Sequence, residues 1–163
     1  CPCGFAGDPR RACLCDPRER TRHARKLSGP LLDRIDLHVA MRDLTWPELR
    51  GRENGEPSAP IRGRVAGARA LAGARRPGTP GFRNADLTAP ELLQHGRLDA
   101  GGLRVLETAV ERLHLSARAI HRALRVARTI ADLEASDRVR APHLSEALSF
   151  RPSHVSSCPI EQD

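Results

Sequence analysis

The chain has 163 residues, a formal net charge of +7 at pH 7 and only 2% aromatic residues. Its length suits one ordinary domain, or the end of one domain followed by a smaller one. No run of about eighteen apolar residues exists, which excludes a transmembrane helix, and no charged start followed by an apolar stretch indicates a signal peptide. The positive charge favours anionic partners such as nucleotides or nucleic acid, while the scarcity of aromatic residues disfavours base stacking.

The N-terminal segment carries four cysteines in two pairs. Cys1-x-Cys3 is followed, after nine intervening residues, by Cys13-x-Cys15. Four thiolates in two pairs can complete a tetrahedral zinc site, which would hold together a loop without a core of its own and would leave no open position for catalysis. The C-x-C spacing is less specific than C-x-x-C, so packing of the cysteines without metal is the alternative.

A turn and an apolar strand are predicted between Ser28 and Leu44. Gly29-Pro30 interrupts the backbone, and the apolar residues that follow alternate with polar ones, as in a half-buried strand: Ile35, Leu37 and Val39. The stretch from residue 45 to 57 is polar and rich in proline and glycine, which is typical of a linker.

Arg34 lies between Asp33 and Asp36, just after this turn. Its planar and permanently charged guanidinium suits a phosphate group, because it donates hydrogen bonds in pairs. The spacing alone also allows a surface ion pair with either aspartate.

Helical periodicity predicts that the remainder of the chain is a small bundle. We expect helices capped by Ser58, Asp99 and Ser116, a short helix over Ala89–His95 and a last one beginning near Pro142. In the first of these helices, the apolar residues at helical spacing are Ile61, Val65, Ala68 and Ala72.

Arginines mark the start and the polar side of the helix capped by Ser116. Arg118 stands in the first turn, where a cation is disfavoured by the helix dipole but where backbone N–H groups are directed at an anion. A phosphate bound jointly by the Arg118 side chain and these N–H groups would suit this position. A solvated surface arginine is the alternative. Arg122, Arg125 and Arg128 follow on the polar side and could contact nucleic acid or a neighbouring subunit, although such a run is more often a solvated face.

Three stretches resemble one protein family in the family's own order: CPCG at residues 1–4, SGPLLDRIDLHV at 28–39 and LSARAIHRALRVARTIADL at 115–133. The family is that of the Mg-chelatase-like AAA+ ATPases of the ComM/YifB type. The resemblance covers most of residues 1–151.

The resemblance implies a mostly α fold with a remnant of an α/β AAA+ core. This remnant, with its strand and cysteine loop, would occupy residues 1–44, followed by the linker over 45–57. A helical lid bundle would occupy residues 58–151, and we expect a disordered tail over 152–163. Because the chain begins at Cys1 and not at methionine, we expect it to be a fragment. Since the sequence shows neither a transmembrane segment nor a signal peptide, we expect a cytoplasmic location.

The resemblance also implies roles for two arginines. The arginine of LLDRID in this family is the arginine finger, which reaches the nucleotide of a neighbouring subunit, and that residue is Arg34. The lid segment carries the sensor-2 arginine, which is Arg118. The family further implies ATP and Mg²⁺ as cofactors, a hexameric ring of its own subunits, and ATP hydrolysis coupled to DNA remodelling, such as branch migration in natural transformation.

The chain lacks the G-x-x-x-x-G-K-[ST] phosphate loop and the acidic Walker B strand. On its own it should therefore not hydrolyse ATP. Two other functions fit the sequence: a non-enzymatic nucleic-acid-binding module made of the arginine helix and the cysteine loop, and an ATPase subunit of a true magnesium chelatase, against which the CPCG loop argues.

Overall fold

The structure is a computed structural model, and it describes residues 1–8, 10–26, 31, 34–39, 41, 44–51 and 55–151, without the side chain of Leu93. The chain divides into two compact units, with the boundary between Ile35 and Asp36. The described part is mostly helical, which confirms the predicted fold class. Gly29-Pro30 of the predicted turn and the predicted tail over 152–163 lie outside the described residues.

The first unit contains the cysteine loop and one short helix, α1 (Pro17–Ala24). Asp16 caps this helix, because its carboxylate accepts a hydrogen bond from the Arg18 N–H at 2.8 Å, while the Glu19 carboxylate accepts one from the Asp16 N–H at 3.3 Å. None of the residues described between positions 1 and 26 is buried. The unit therefore lacks a hydrophobic core over this stretch.

The second unit is a helical bundle arranged around one central helix. Its elements are α2 (Trp46–Arg50), α3 (Ser58–Ala74), a 3₁₀ turn (Asn84–Asp86), α4 (Ala89–Gly96), α5 (Ala100–Leu113), α6 (Ala117–Leu133) and α7 (Ala141–Ser149). The central helix α6 packs against α3, α4, α7 and the 3₁₀ turn, and α7 also packs against α5.

The core of the bundle lies along one face of α6. Leu124, Ala127, Ile130 and Ala131 recur at helical spacing and are buried there. The buried apolar residues that meet them come from the flanking elements: Phe82, Leu87, Leu92, Val139, Leu144 and Ala147.

Two of the three predicted helix caps are confirmed. The Asp99 carboxylate accepts a hydrogen bond from the Gly102 N–H at 2.6 Å, and the Ser116 hydroxyl accepts one from the Ala119 N–H at 3.2 Å. The predicted cap at Ser58 is wrong. Ser58 is itself the first residue of α3. The cap position is occupied by Pro57, whose side chain cannot accept a hydrogen bond from the first turn.

Helix α3 buries less of its apolar stripe than the sequence predicts. Ala68 and Ala72 are buried, whereas Ile61 and Val65 are exposed. The C-terminal half of α3 is thus the half that contributes to the core.

The predicted strand is not formed within the described residues Ile35–Val39. The polar residues of this segment contact the bundle instead, since Asp36 pairs with Arg122 and the His38 N–H donates to the Phe150 carbonyl at 2.8 Å. A lone strand leaves its backbone groups without a ladder to join, and the described ranges contain no strand that could pair with it. The apolar residues face outward, with exposed fractions of 41% for Ile35, 50% for Leu37 and 63% for Val39.

The segment predicted as a linker over residues 45–57 contains α2. Glu48 accepts hydrogen bonds from the Thr45 N–H and hydroxyl at 2.7 and 2.8 Å, which fixes the start of this one-turn helix. Its Trp46 side chain is 70% exposed. Nowhere in the described ranges is a helix long and apolar enough to cross a membrane.

Candidate functional site

Arg34 lies in an exposed turn, where its backbone N–H donates to the Leu31 carbonyl at 2.9 Å. Of the two aspartates that could pair with it, Asp36 is engaged by Arg122 Nε at 2.5 Å, and Asp33 lies outside the described residues. No described residue accepts a hydrogen bond from the Arg34 guanidinium. This cation is therefore accessible to a ligand.

Arg118 occupies the second position of α6 and is exposed. Ser116 satisfies one N–H of the first turn, that of Ala119, and the first turn carries no acidic residue. The Arg118 guanidinium has no partner among the described residues. A helix N-terminus with an unpaired arginine beside it is electrostatically suited to an anion.

The other three arginines of α6 are used inside the protein. Arg122 pairs with Asp36, and Arg125 donates to the Leu87 carbonyl through Nε at 3.1 Å and Nη2 at 2.7 Å. Arg128 is only 1% exposed, so the prediction that it continues along the solvated polar side is wrong. These contacts argue against a nucleic-acid role for the three as a set.

Arg128 belongs to a buried polar network that joins α3, α6 and the 3₁₀ turn. The Asp132 carboxylate accepts hydrogen bonds from Arg128 Nε at 3.1 Å, Arg75 Nη1 at 2.7 Å and Asn84 Nδ2 at 2.7 Å. Burial lowers the pKa of Arg128, and the negative charge of Asp132 opposes that effect. The remaining donors of Arg128 reach the carbonyls of Ser136 and Asp137.

Sequence reasoning missed this network, although one signal was present. Arg128 and Asp132 stand four residues apart, which places them on one helix face. Arg75 and Asn84 are separated from Asp132 by 57 and 48 residues, so only the fold brings them together. The network fixes α3 and the 3₁₀ turn against α6.

The four N-terminal cysteines lie together in the first unit. Their sulfur atoms are all within 4.8 Å of one another, and none is in a disulfide. Cys3 Sγ lies 3.6 Å from Cys1 Sγ and 3.6 Å from Cys13 Sγ. The structure thus assembles the two pairs that the sequence places nine residues apart.

The environment of the cluster acts differently on two of its thiols. A hydrogen bond from the Phe5 backbone, followed by one from the Cys15 side chain, lowers the pKa of Cys3 to about 7. A backbone hydrogen bond at Cys3 acts to lower the pKa of Cys15, but the side-chain hydrogen bond to Cys3, burial and the neighbouring Cys13 together raise that pKa. The Ala6 N–H donates to Cys1 Sγ at 3.1 Å. Donors directed at sulfur stabilise its negative charge, and a negatively charged sulfur is the form that binds metals.

Family comparison identifies the class of protein to which these features belong. Residues 55–151 match the family model of the magnesium chelatase subunit ChlI C-terminal region, and residues 1–49 match that of magnesium chelatase subunit ChlI. The chain belongs to this Mg-chelatase-like family of AAA+ proteins, which confirms the family predicted from the three motifs.

Individual relatives narrow the resemblance to the ComM/YifB type. The chain is 38% identical to the competence protein ComM of Haemophilus influenzae over 83% of its length and 39% identical to the uncharacterized protein YifB of Escherichia coli over 84%. An uncharacterized protein of Mycobacterium tuberculosis is 41% identical over 93% of the chain. The chain spans 26% of the length of the first two relatives and 29% of the third.

Proposed function

We propose that this chain forms the C-terminal part of a ring-forming AAA+ motor that hydrolyses ATP and remodels DNA. The observation that carries the proposal is the state of Arg34 and Arg118, which are both exposed and both without a partner among the described residues. Every other arginine singled out in the sequence is engaged by the protein itself. Family membership supports the nucleotide chemistry.

Arg34 acts in this proposal as an arginine finger on the nucleotide of a neighbouring subunit. Phosphoryl transfer is catalysed mainly by positioning and by charge stabilisation, and an arginine supplied in trans contributes about 10³–10⁵ in rate. An arginine already paired to a carboxylate in its own subunit would lose part of this effect. The guanidinium of Arg34, exposed and without a partner among the described residues, meets that requirement.

Arg118 acts as a sensor of the bound nucleotide. Its guanidinium and the first-turn N–H groups of α6 would hold the same phosphate oxygens. Because the buried network around Asp132 joins α6 to α3 and the 3₁₀ turn, movement of α6 would carry the bundle with it. Nucleotide state would then be converted into a change of lid position.

The phosphate loop and the Mg²⁺-binding acidic residues are supplied in this proposal by the nucleotide-binding part of the motor, since neither motif occurs in these 163 residues. The hexameric ring is what the family resemblance implies, and the trans role of Arg34 is compatible with it, because in a ring of head-to-tail contacts each finger meets the nucleotide of the next subunit. A DNA substrate is suggested by the name of one relative, the competence protein ComM.

The test joins this chain to the nucleotide-binding part of a full-length relative and measures ATPase rate and nucleotide affinity separately. Arg34→Ala should lower turnover by about 10³-fold or more while nucleotide binding stays within a few-fold. Arg22→Ala, an exposed arginine in α1 of the same unit, is the matched control and should leave turnover unchanged.

Mixing gives a second and sharper readout. Subunits carrying Arg34→Ala, mixed with subunits that lack a functional phosphate loop, should recover part of the activity, because some interfaces then combine an intact finger with an intact loop. Unchanged turnover in the Arg34 variant, or no recovery on mixing, would contradict the trans role.

A further inference from the structure

We propose that Cys1, Cys3, Cys13 and Cys15 bind one Zn²⁺ ion through four thiolates, and that this ion fixes the start of helix α1. A Zn–S bond of about 2.3 Å in tetrahedral geometry places each pair of sulfurs about 3.8 Å apart. Two of the pairs lie at 3.6 Å, and no pair exceeds 4.8 Å. The space between the four sulfurs therefore has the size of a single ion, and the site is independent of the proposed motor activity.

Other chemistry fits this geometry less well. A disulfide requires two sulfurs about 2.05 Å apart, and all four cysteines are free. A multinuclear iron–sulfur cluster inserts several atoms between its ligands, for which four sulfurs this close leave no room. A mononuclear tetrathiolate site is what remains, and zinc is the metal that uses such closed sites structurally.

The backbone around the cysteines is shaped for metal-bound sulfur. Gly4 and Gly7 adopt φ angles of 84° and 85°, which turn the chain sharply after the first pair. The turn places the Ala6 N–H 3.1 Å from Cys1 Sγ. Such donors support the charge of a ligand sulfur from outside the metal's own coordination.

Charge balance also favours the site. Binding of Zn²⁺ to four thiols releases four protons and leaves a centre of net charge two minus. The loop between and after the cysteine pairs is rich in arginine, with Arg10, Arg11, Arg18 and Arg20 within or next to it in sequence. Three acidic residues of the same stretch, Asp8, Asp16 and Glu19, leave its net charge slightly positive, which partly offsets the negative charge of the zinc centre.

The described residues of the loop form no hydrophobic core, so a cross-link would stabilise it. No described residue between positions 1 and 26 is buried, and Leu14, between Cys13 and Cys15, is 93% exposed. Segments this small without a core are stabilised by disulfides or metals. A zinc ion would replace the missing hydrophobic core.

The link from the metal to α1 runs through Cys15. Its carbonyl accepts a hydrogen bond from Arg20 Nε at 3.1 Å, and the next residue, Asp16, is the cap of α1. Fixing the Cys15 sulfur therefore fixes both the cap and a side-chain contact from the second turn of the helix.

The first experiment measures metal content of the full 163-residue chain, purified under reducing conditions and incubated with Zn²⁺ before removal of free metal. About one zinc per chain is expected, and Co²⁺ in its place should show thiolate-to-metal charge-transfer absorption of a tetrahedral site. Cys13→Ser should lose most of the bound metal. Cys158→Ser, which removes the cysteine outside the two pairs, should retain it.

The proposal is overturned if the wild-type chain holds no zinc after incubation, if Cys13→Ser holds as much as Cys158→Ser, or if the bound metal is iron. Far-ultraviolet circular dichroism of the chain serves as the folding control for the variants, because most helical residues belong to the second unit and the cysteines to the first. A change larger than the loss of the eight residues of α1 would indicate that the second unit has unfolded. None of these measurements involves ATP, so failure of the motor proposal leaves this result unaffected.

A second experiment tests the link to α1 by amide hydrogen exchange. Removing the metal with a chelator should increase exchange in residues 17–24 several-fold and leave α5, residues 100–113, unchanged. Cys13→Ser should exchange in α1 like the chelated wild type, with or without chelator. Equal exchange in α1 with and without metal would overturn the claim that zinc fixes this helix.

Discussion

Asp132 is the acceptor on which the buried network of the helical unit depends. Asp132→Asn would leave Arg128, which is 1% exposed, without its counter-charge. Breaking a buried pair in this way costs about 3–5 kcal/mol of unfolding free energy. The loss can be measured by urea unfolding followed by far-ultraviolet circular dichroism.

Asp137 provides the matched control for this substitution. It pairs with Arg97, but both side chains are exposed. Asp137→Asn should cost less than about 1 kcal/mol. Equal losses for the two variants would show that Asp132 has no special structural role.

Through Glu91, the stability of the bundle depends on pH. Hydrogen bonds from the Thr88 hydroxyl and N–H, together with Arg76, lower the pKa of Glu91 to about 2 from an ordinary 4.5. A carboxyl with a lowered folded-state pKa contributes stability above its unfolded pKa and loses it as the pH falls. The contribution of Glu91 should therefore disappear between about pH 4.5 and pH 2.

Glu91→Gln tests this expectation by the urea midpoint as a function of pH. The variant should be less stable than the wild type at pH 7, and the difference should narrow on acidification below pH 4.5. Glu107→Gln, an exposed control on α5, should follow the wild-type curve. A gap between Glu91→Gln and wild type that stays constant down to pH 2 would contradict the assignment.

Single residues also show where sequence reasoning reached its limit. The cysteine pairs and the first-turn position of Arg118 could be identified from spacing, because both are local patterns. The burial of the Arg128 side chain could not be predicted, because it depends on Asp132 and on loop carbonyls that only the tertiary fold brings near. A charged residue on a helix is assigned to solvent by default, and this default fails when a carboxylate is buried beside it.

At the scale of elements, Ser116 and Ser58 offer a direct comparison of helix starts. Ser116 caps α6, whereas Ser58 is the first helical residue of α3. Ser116→Ala should cost about 1 kcal/mol of unfolding free energy. Ser116→Thr keeps a capping hydroxyl and should therefore stay close to the wild type in stability. Ser58→Ala should be neutral or slightly stabilising, because alanine is the better helix former.

Thermal or urea unfolding of the three variants checks this difference. A similar loss for Ser58→Ala and Ser116→Ala would mean that both serines act as caps and that the described start of α3 is wrong. If Arg118 senses nucleotide, Ser116→Ala should also weaken nucleotide binding in the assembled motor, since it loosens the turn that positions the guanidinium.

Helices were predictable here and the strand was not, for a physical reason. A helix satisfies its own backbone, so caps and apolar spacing within one segment suffice to place α4, α5, α6 and α7. A strand requires a neighbour, and the alternation at Ile35–Val39 carries no information on whether one is present. In the structure the apolar side of this segment stays exposed and its polar side contacts the bundle.

On the scale of the whole molecule, two units of different character share one chain. The unit Asp36–Arg151 has a hydrophobic core and should fold when expressed alone. Residues 55–151, the range of the matching C-terminal family model, should also fold but with lower stability. The shorter piece lacks the Asp36–Arg122 ion pair and the hydrogen bond from the His38 N–H to the Phe150 carbonyl.

The expected difference between the two pieces is about 1–2 kcal/mol, because one ion pair with an exposed carboxylate and one backbone hydrogen bond are lost. Urea unfolding of both pieces measures it, and Asp36→Asn in the longer piece should account for part of the loss. Identical midpoints would show that residues 36–54 add nothing to the bundle.

The exposed indole of Trp46 has a consequence for how this protein can be observed. It is the one tryptophan of the chain, and the chain has no tyrosine. Because Trp46 is 70% exposed in the folded protein, its fluorescence emission will hardly change when the bundle unfolds. The same property makes it a selective reporter of its own surroundings. A shift of the emission to shorter wavelength will signal that another subunit or a further segment has covered helix α2.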